Sequence, residues 1–180
     1  MLYSFRDRSP EIGNDTYVSE HALVIGDVKI GDNCYIGHGV ILRGDYGSIE
    51  IGSGTAVEEG VVMHAPPNQN CRVGERVTIG HGAIIHSSSI GDACLIGMGA
   101  ILSIHSEIGA GATVAEGSVV TMRQIISPGV VVVGSPAKIL RQSKDNNSRV
   151  DNFRNKIYED LAKEYIRDGM QRIDPSSKSE

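Results

Sequence analysis

The chain has 180 residues, 40% hydrophobic but only 4% aromatic, with no Trp and 22 glycines. That length suits one domain with a short appendage, and a core limited to Ile, Val and Ala favours thin repetitive layers over a globular interior. A formal net charge of −5, a pI near 5.7 and the lack of any Lys/Arg run leave no electrostatic footprint for nucleic acid or an anionic membrane, so neither partner is expected.

Met1 to Arg8 contains no apolar segment long enough for a signal peptide, and the longest strictly apolar run, Val130 to Val133, is too short to cross a bilayer. Cys34, Cys71 and Cys94 are odd in number and at no metal-like spacing, which suits a reducing compartment; the expected address is cytoplasmic. Cys34 and Cys94 occupy small-residue slots and read as inert packing, whereas Cys71 falls in a corner loop and is expected to be open to exposure.

Aliphatic residues then recur every six positions: Ile12, Val18, Val24, Ile30, Ile36 and Leu42; Ile51, Val57 and Met63; Val73, Ile79 and Ile85; Ile90, Ile96 and Leu102; Ile108, Val114 and Val120. Gly often follows the aliphatic residue and a small residue often lies four after it, as in Ile79-Gly80 with Ala83 or Ile96-Gly97 with Ala100. A six-residue phase held over more than a hundred residues is produced by neither the helical nor the strand period alone; it is the hexapeptide repeat of a parallel β-helix.

Three edges of six make one triangular coil, and every break in the count falls after a third-edge position: three extra residues between Leu42 and Ile51, four extra between Met63 and Val73, one missing between Ile85 and Ile90. Irregularity confined to one corner leaves the stacked strands intact and is where a site is expected. One residue past the third-edge aliphatic the sequence reads Arg43, His64 and His86 in successive coils, predicting a column at the strand spacing of about 4.8 Å. His81 lies out of that column, near the end of a second edge. Five residues of strand separate His81 from His86 by up to ~16 Å of chain with a corner between them, so the rings should point apart. Imidazole is the commonest ligand of zinc, and if all three rings share one ion, the third is more easily supplied by another copy of the chain. Three prisms about a threefold axis would give equivalent shared sites.

From about residue 10 to 142 the chain resembles the γ-class carbonic anhydrases and their relatives. The resemblance rests on Arg43-Gly44-Asp45, on Thr55-Ala56-Val57-Glu58-Glu59-Gly60 leading to His64, and on His81 with His86 followed by Ile96-Gly97-Met98-Gly99-Ala100. It implies an all-β, left-handed parallel β-helix that forms a homotrimer, with His64, His81 and His86 as ligands of Zn²⁺, or alternatively Fe²⁺ or Co²⁺, and Arg43 with Asp45 as an ion pair joining subunits. The implied reaction is reversible hydration of CO₂ to bicarbonate at a subunit interface, with Glu58 as hydrogen-bond acceptor or general base at the activated water. Three features depart from the family pattern: Ala56-Val57-Glu58 replaces Asn-x-Gln, Tyr46 stands where active members carry glutamate, and the acidic loop thought to export protons is missing between Ala65 and Gly80. Turnover is therefore expected to be slow and to rise with buffer concentration; fast turnover independent of buffer would instead make Glu58 or Tyr46 the proton shuttle.

Other readings stand beside this one. A coenzyme A-dependent acyltransferase or thioesterase of the hexapeptide class, or a metal-binding assembly protein without turnover, would use the same repeat. His21, His38 and His105 read as surface or corner residues, and Glu58 could be an ordinary solvated strand glutamate. Beyond the β-helix domain, residues 1–142, lies a C-terminal segment, residues 143–180. There Val150, Phe153, Ile157, Leu161 and Tyr165 recur at three and four, predicting an amphipathic helix from about Arg149 to Asp168 that packs on the solenoid, and the tail from Pro175 to Glu180 is expected to be disordered.

Overall fold

The computed structural model describes residues 1–143 and 147–173. Short parallel strands stack rung on rung into two sheets, one of 12 strands that turns a corner and one of 8. The three columns of inward aliphatic residues are those of the repeat. Ile12, Ile30, Ile51, Val73, Ile90 and Ile108 pair in register along the first edge. Val18, Ile36, Val57, Ile79, Ile96 and Val114 do so along the second, and Val24, Leu42, Met63, Ile85, Leu102 and Val120 along the third. Together they form one continuous buried core. The solenoid extends one rung past the sequence ladder, to Ile126 and Val132, and ends in an antiparallel pairing of Val130–Val133 with Lys138–Gln142. At the other end Leu2–Tyr3 adds a rung beside Val24 and Ile25.

The glycine that follows an inward aliphatic residue is required by close stacking: a Cβ on Gly80 would come within 2.8 Å of the Met98 backbone nitrogen in the next coil. Three residues after the aliphatic the backbone turns through positive φ, and at the second-edge corner that residue is always glycine from Gly39 through Gly60, Gly82 and Gly99 to Gly117. The first break in the repeat is not a loop. Ile41–Ile51 is one continuous strand that carries the extra residues around the third-edge corner, with a register shift against Leu23–Ile30.

Each face wears a different outer surface, set by the residue before the inward aliphatic. On the first face the column reads Glu11, Lys29, Glu50, Arg72, Ser89 and Glu107, with ion pairs at 3.4 Å (Glu11–Lys29) and 3.1 Å (Glu50–Arg72). On the second face Tyr17, Tyr35 and Ala56 receive the helix Asn147–Asp168, which lays Tyr158, Leu161, Ala162 and Tyr165 against them. Ring centroids lie 4.6 Å apart for Tyr17–Tyr165 and 5.2 Å for Tyr35–Tyr158. The helix thus packs back on the solenoid with Leu161 and Tyr165 of the predicted face in the contact, whereas Ile157 is exposed and Tyr158 and Ala162 take part instead; the side chains of Val150 and Phe153, and the tail from Pro175, lie outside the described residues. On the third face the column is aliphatic throughout: Leu23, Ile41, Val62, Ile84, Ile101 and Val119, with its middle members Val62, Ile84 and Ile101 exposed, Ile84 to 45%. No described helix is long and apolar enough to cross a membrane.

Candidate functional site

The third-edge column continues one residue past Leu42, Met63 and Ile85, so Arg43 pairs with His64 and His64 with His86 in strict register. The two imidazoles stack with centroids 5.3 Å apart and planes 12° from parallel. Asp45, carried back by the corner of the long strand, receives Arg43 Nη1 at 2.8 Å and holds its other oxygen 3.6 Å from His64 Nε2, beyond a hydrogen bond. His64 Nε2 is therefore buried without a hydrogen-bond partner. Burial first, and then the Arg43 charge, lower the pKa of His64 against the smaller pull of Asp45, so the ring is neutral at pH 7. Burial also presses on the Asp45 carboxyl, but the Arg43 guanidinium and the Tyr46 amide outweigh it and hold the pKa below the ordinary value. Tyr46 itself is half exposed, and its backbone carbonyl accepts from Arg8 Nη1 at 3.1 Å.

His81 sits at the other corner, in the turn after the second edge, and is satisfied on both sides. Its Nε2 lies 3.1 Å from Glu58 Oε2 and its Nδ1 2.9 Å from Glu59 Oε2, while its backbone amide donates to Glu58 Oε2 at 3.1 Å. Glu58 is not a solvated strand glutamate: it is 7% exposed. It occupies the slot that holds Gly37, Gly80 and Gly97 in the neighbouring coils, and burial followed by the nearby Glu58 carboxylate raises the pKa of Tyr158 of the helix. A glutamate in a column of glycines is a sequence signal for that burial. Glu59, beside it, takes the Tyr35 hydroxyl on Oε1 at 2.6 Å. Burial pushes the Glu59 carboxyl up, but the Tyr35 hydroxyl, its own amide and the neighbouring His81 and His38 rings together keep it below the usual value.

The structure thus brings His64 and His86 together with Arg43 and Asp45, and places His81 with Glu58 on a different corner. Among the described residues, no three His, Cys, Asp or Glu side chains of one chain converge on a metal position. The remaining histidines are as the sequence reads them. His21 and His105 are exposed, the latter at a corner with φ of 60°, and His38 hydrogen-bonds Ser19 and stands edge-on to Tyr165. Cys71 corrects the expectation of exposure. It lies in the strand Asn70–Val73, its side chain turned into the core, and burial raises its thiol pKa to about 11.

Fold and side chains define a hexapeptide-repeat β-helix with a histidine cluster at an interrupted corner. Residues 9–44 match the bacterial transferase hexapeptide family, and residues 27–65, 70–103 and 88–122 match the hexapeptide repeat of succinyl-transferase. Carnitine operon protein CaiE of Salmonella agona is 35% identical over 166 residues, 89% of this chain and 81% of that protein. Mitochondrial gamma carbonic anhydrase 2 of Arabidopsis thaliana is 39% identical over 150 residues, 80% of this chain, which spans 54% of that relative. Among solved structures, a hexapeptide transferase family protein from Anaplasma phagocytophilum superposes with a TM-score of 0.84 at 32% identity over 91% of this chain and 97% of that one. The chain belongs to the γ-carbonic-anhydrase-like family of left-handed, hexapeptide-repeat β-helices.

Proposed function

We propose that this chain is a carbonic anhydrase-type enzyme that hydrates CO₂ reversibly to bicarbonate, with one divalent ion held by His64 and His86 of one copy and His81 of the next in a homotrimer. The observation that carries this reading is the buried, unpartnered Nε2 of a neutral His64 stacked on His86, with the third histidine on a different corner. Neutral imidazole is the ligand form, and a buried ring nitrogen without a partner is costly unless something fills its lone pair, so the donor set suits Zn²⁺, or Fe²⁺ or Co²⁺ in its place. The bare aliphatic column beside His64 and His86 gives the second copy a surface to cover. When bound, the ion would supply Lewis acidity that lowers the pKa of water from far above neutrality to about 7.

The chain's own groups do the rest. Glu58, buried one coil before His81, keeps a carboxylate oxygen within reach of the His81 ring and accepts a proton from the reacting water. The Arg43–Asp45 pair fixes the strand corner that carries His64. Proton export is left to the buffer; Tyr46, half exposed at the same corner, is with Glu58 the candidate shuttle should turnover prove fast and independent of buffer. Metal analysis of anaerobically purified protein followed by a CO₂ hydration assay tests this. About one ion per chain and a rate rising with buffer concentration are expected; no hydration with zinc, iron or cobalt would overturn it. The Anaplasma neighbour is named only as a transferase; among transferases the second reading is acyl transfer from coenzyme A, and metal-independent binding of coenzyme A is the result that would select it.

A further inference from the structure

Glu59 spans two coils in a way that the repeat does not require. Its backbone stacks on His38 in the coil before and His81 in the coil after, following the second-edge register. One carboxylate oxygen reaches back to the Tyr35 hydroxyl at 2.6 Å, and the other reaches forward to His81 Nδ1 at 2.9 Å. Room for the backward reach comes from Gly37, where a Cβ would stand 2.7 Å from Glu59 Oε1. Tyr35 is itself immobilised, 2% exposed between Tyr17 at 5.6 Å and Tyr158 of the helix at 5.2 Å, and burial followed by its bond to Glu59 raises its pKa so that it stays a donor.

We infer that Glu59 and Tyr35 are positioning residues for His81: by accepting the proton of Nδ1, a carboxylate locked by a packed tyrosine turns the ring and leaves Nε2, which here faces Glu58 Oε2 at 3.1 Å, as the nitrogen to ligate. This rests on the proposed role of His81 as a metal ligand. The physical reason is general. An imidazole ligates through one nitrogen, the other must carry the proton, and a fixed acceptor for that proton selects both the tautomer and the ring orientation. Glu58 then plays a different part from its neighbour, since it faces the nitrogen that must be released. Helix docking is drawn into the site too, because Tyr158 and Tyr165 pack the wall against which Tyr35 is held.

The test is zinc affinity of the assembled full-length protein, measured by competition with a chromophoric chelator, together with long-range ¹H–¹⁵N spectra of the histidine rings. Glu59→Ala should weaken zinc binding by about 10- to 100-fold and shift the zinc-free His81 ring away from its wild-type nitrogen shifts. Glu59→Gln, whose amide oxygen still accepts from Nδ1, should recover most of the affinity, and Tyr35→Phe should lose less than Glu59→Ala. Unchanged affinity and unchanged His81 shifts in Glu59→Ala overturn the inference while leaving His81 as a ligand, provided His81→Ala loses zinc. Weakening in Glu59→Ala with no recovery in Glu59→Gln, though that variant is folded and assembled, also overturns it, because loss of charge would then explain the effect. Full zinc binding by His81→Ala removes the ligand assignment, and the inference with it.

Discussion

At the end of the third edge, His64 and His86 are stacked 5.3 Å apart on consecutive strands, with one buried nitrogen lacking a partner and a bare aliphatic column alongside. At the end of the second edge, His81 sits in a glycine turn, 47% exposed, with a carboxylate on each ring nitrogen. The first corner is geometrically fixed and chemically unfinished; the second is chemically satisfied and open to solvent. Parallel stacking produces the first arrangement, because residues one coil apart are brought within reach of a shared ion. It cannot produce the second, because residues on different edges diverge. The difference teaches that one chain does not bring the three rings together, so the proposed three-histidine site would draw its third ring from a second prism.

Removing any of the three rings should break the comparison most severely. His64→Ala, His81→Ala and His86→Ala should each lose most bound metal by elemental analysis while keeping the wild-type far-UV spectrum, since the core is supplied by the repeat. Full occupancy in any one of them would dissolve the distinction between the corners. Next in size, Ile84→Glu places a charge in the middle of the bare column and should yield monomers without metal in sedimentation velocity, whereas Glu107→Lys on the charged face should leave assembly intact. Equal behaviour of the two variants would show that the aliphatic face is not the interface.

A smaller effect sharpens the contrast through pH. The folded pKa of His64 is lowered below its unfolded value of about 6.5, so the unfolded chain binds more protons in that interval and stability rises with pH through it. The stabilisation is fully present above about 6.5 and is lost as pH falls towards the folded pKa. Denaturation of chelator-treated protein between pH 7.5 and 5 should therefore show a steeper acid loss than in His64→Gln; parallel curves would contradict the burial of that ring. Smallest of all, Cys34, Cys71 and Cys94 are buried with pKa values raised to about 11, first by burial, so none should react with a thiol reagent at pH 8 within the time that denatured protein reacts fully.

Much of this was legible because the repeat converts position into place. The six-residue phase sets which residues point inward, so the columns Leu42–Met63–Ile85 and Arg43–His64–His86 follow from counting. The outer faces were equally available in the residue before each inward aliphatic, yet they needed the three edges to be compared as columns before Val62, Ile84 and Ile101 stood out against Glu50, Arg72 and Glu107. What sequence could not supply was contact between distant segments. Glu59 stacks one coil before His81 by register, but that its carboxylate bridges His81 to the Tyr35 hydroxyl, and that the docked helix packs Tyr158 against Tyr35, are contacts that counting does not give. Cys71 was misread because a corner insertion suggests a loop, whereas Asn70–Val73 resumes strand pairing at once and its alternation turns the thiol inward.

The shared site is tested most directly by reassembly. His81→Ala and His64→Ala protein, each unable to fill its own sites, are mixed in equal amounts, dissociated, reassembled and assayed for bound metal. If each site takes His81 from one copy and His64 with His86 from the next, random assembly restores about a quarter of the sites. No metal binding in verified mixed assemblies would place all three ligands in one chain and contradict the account.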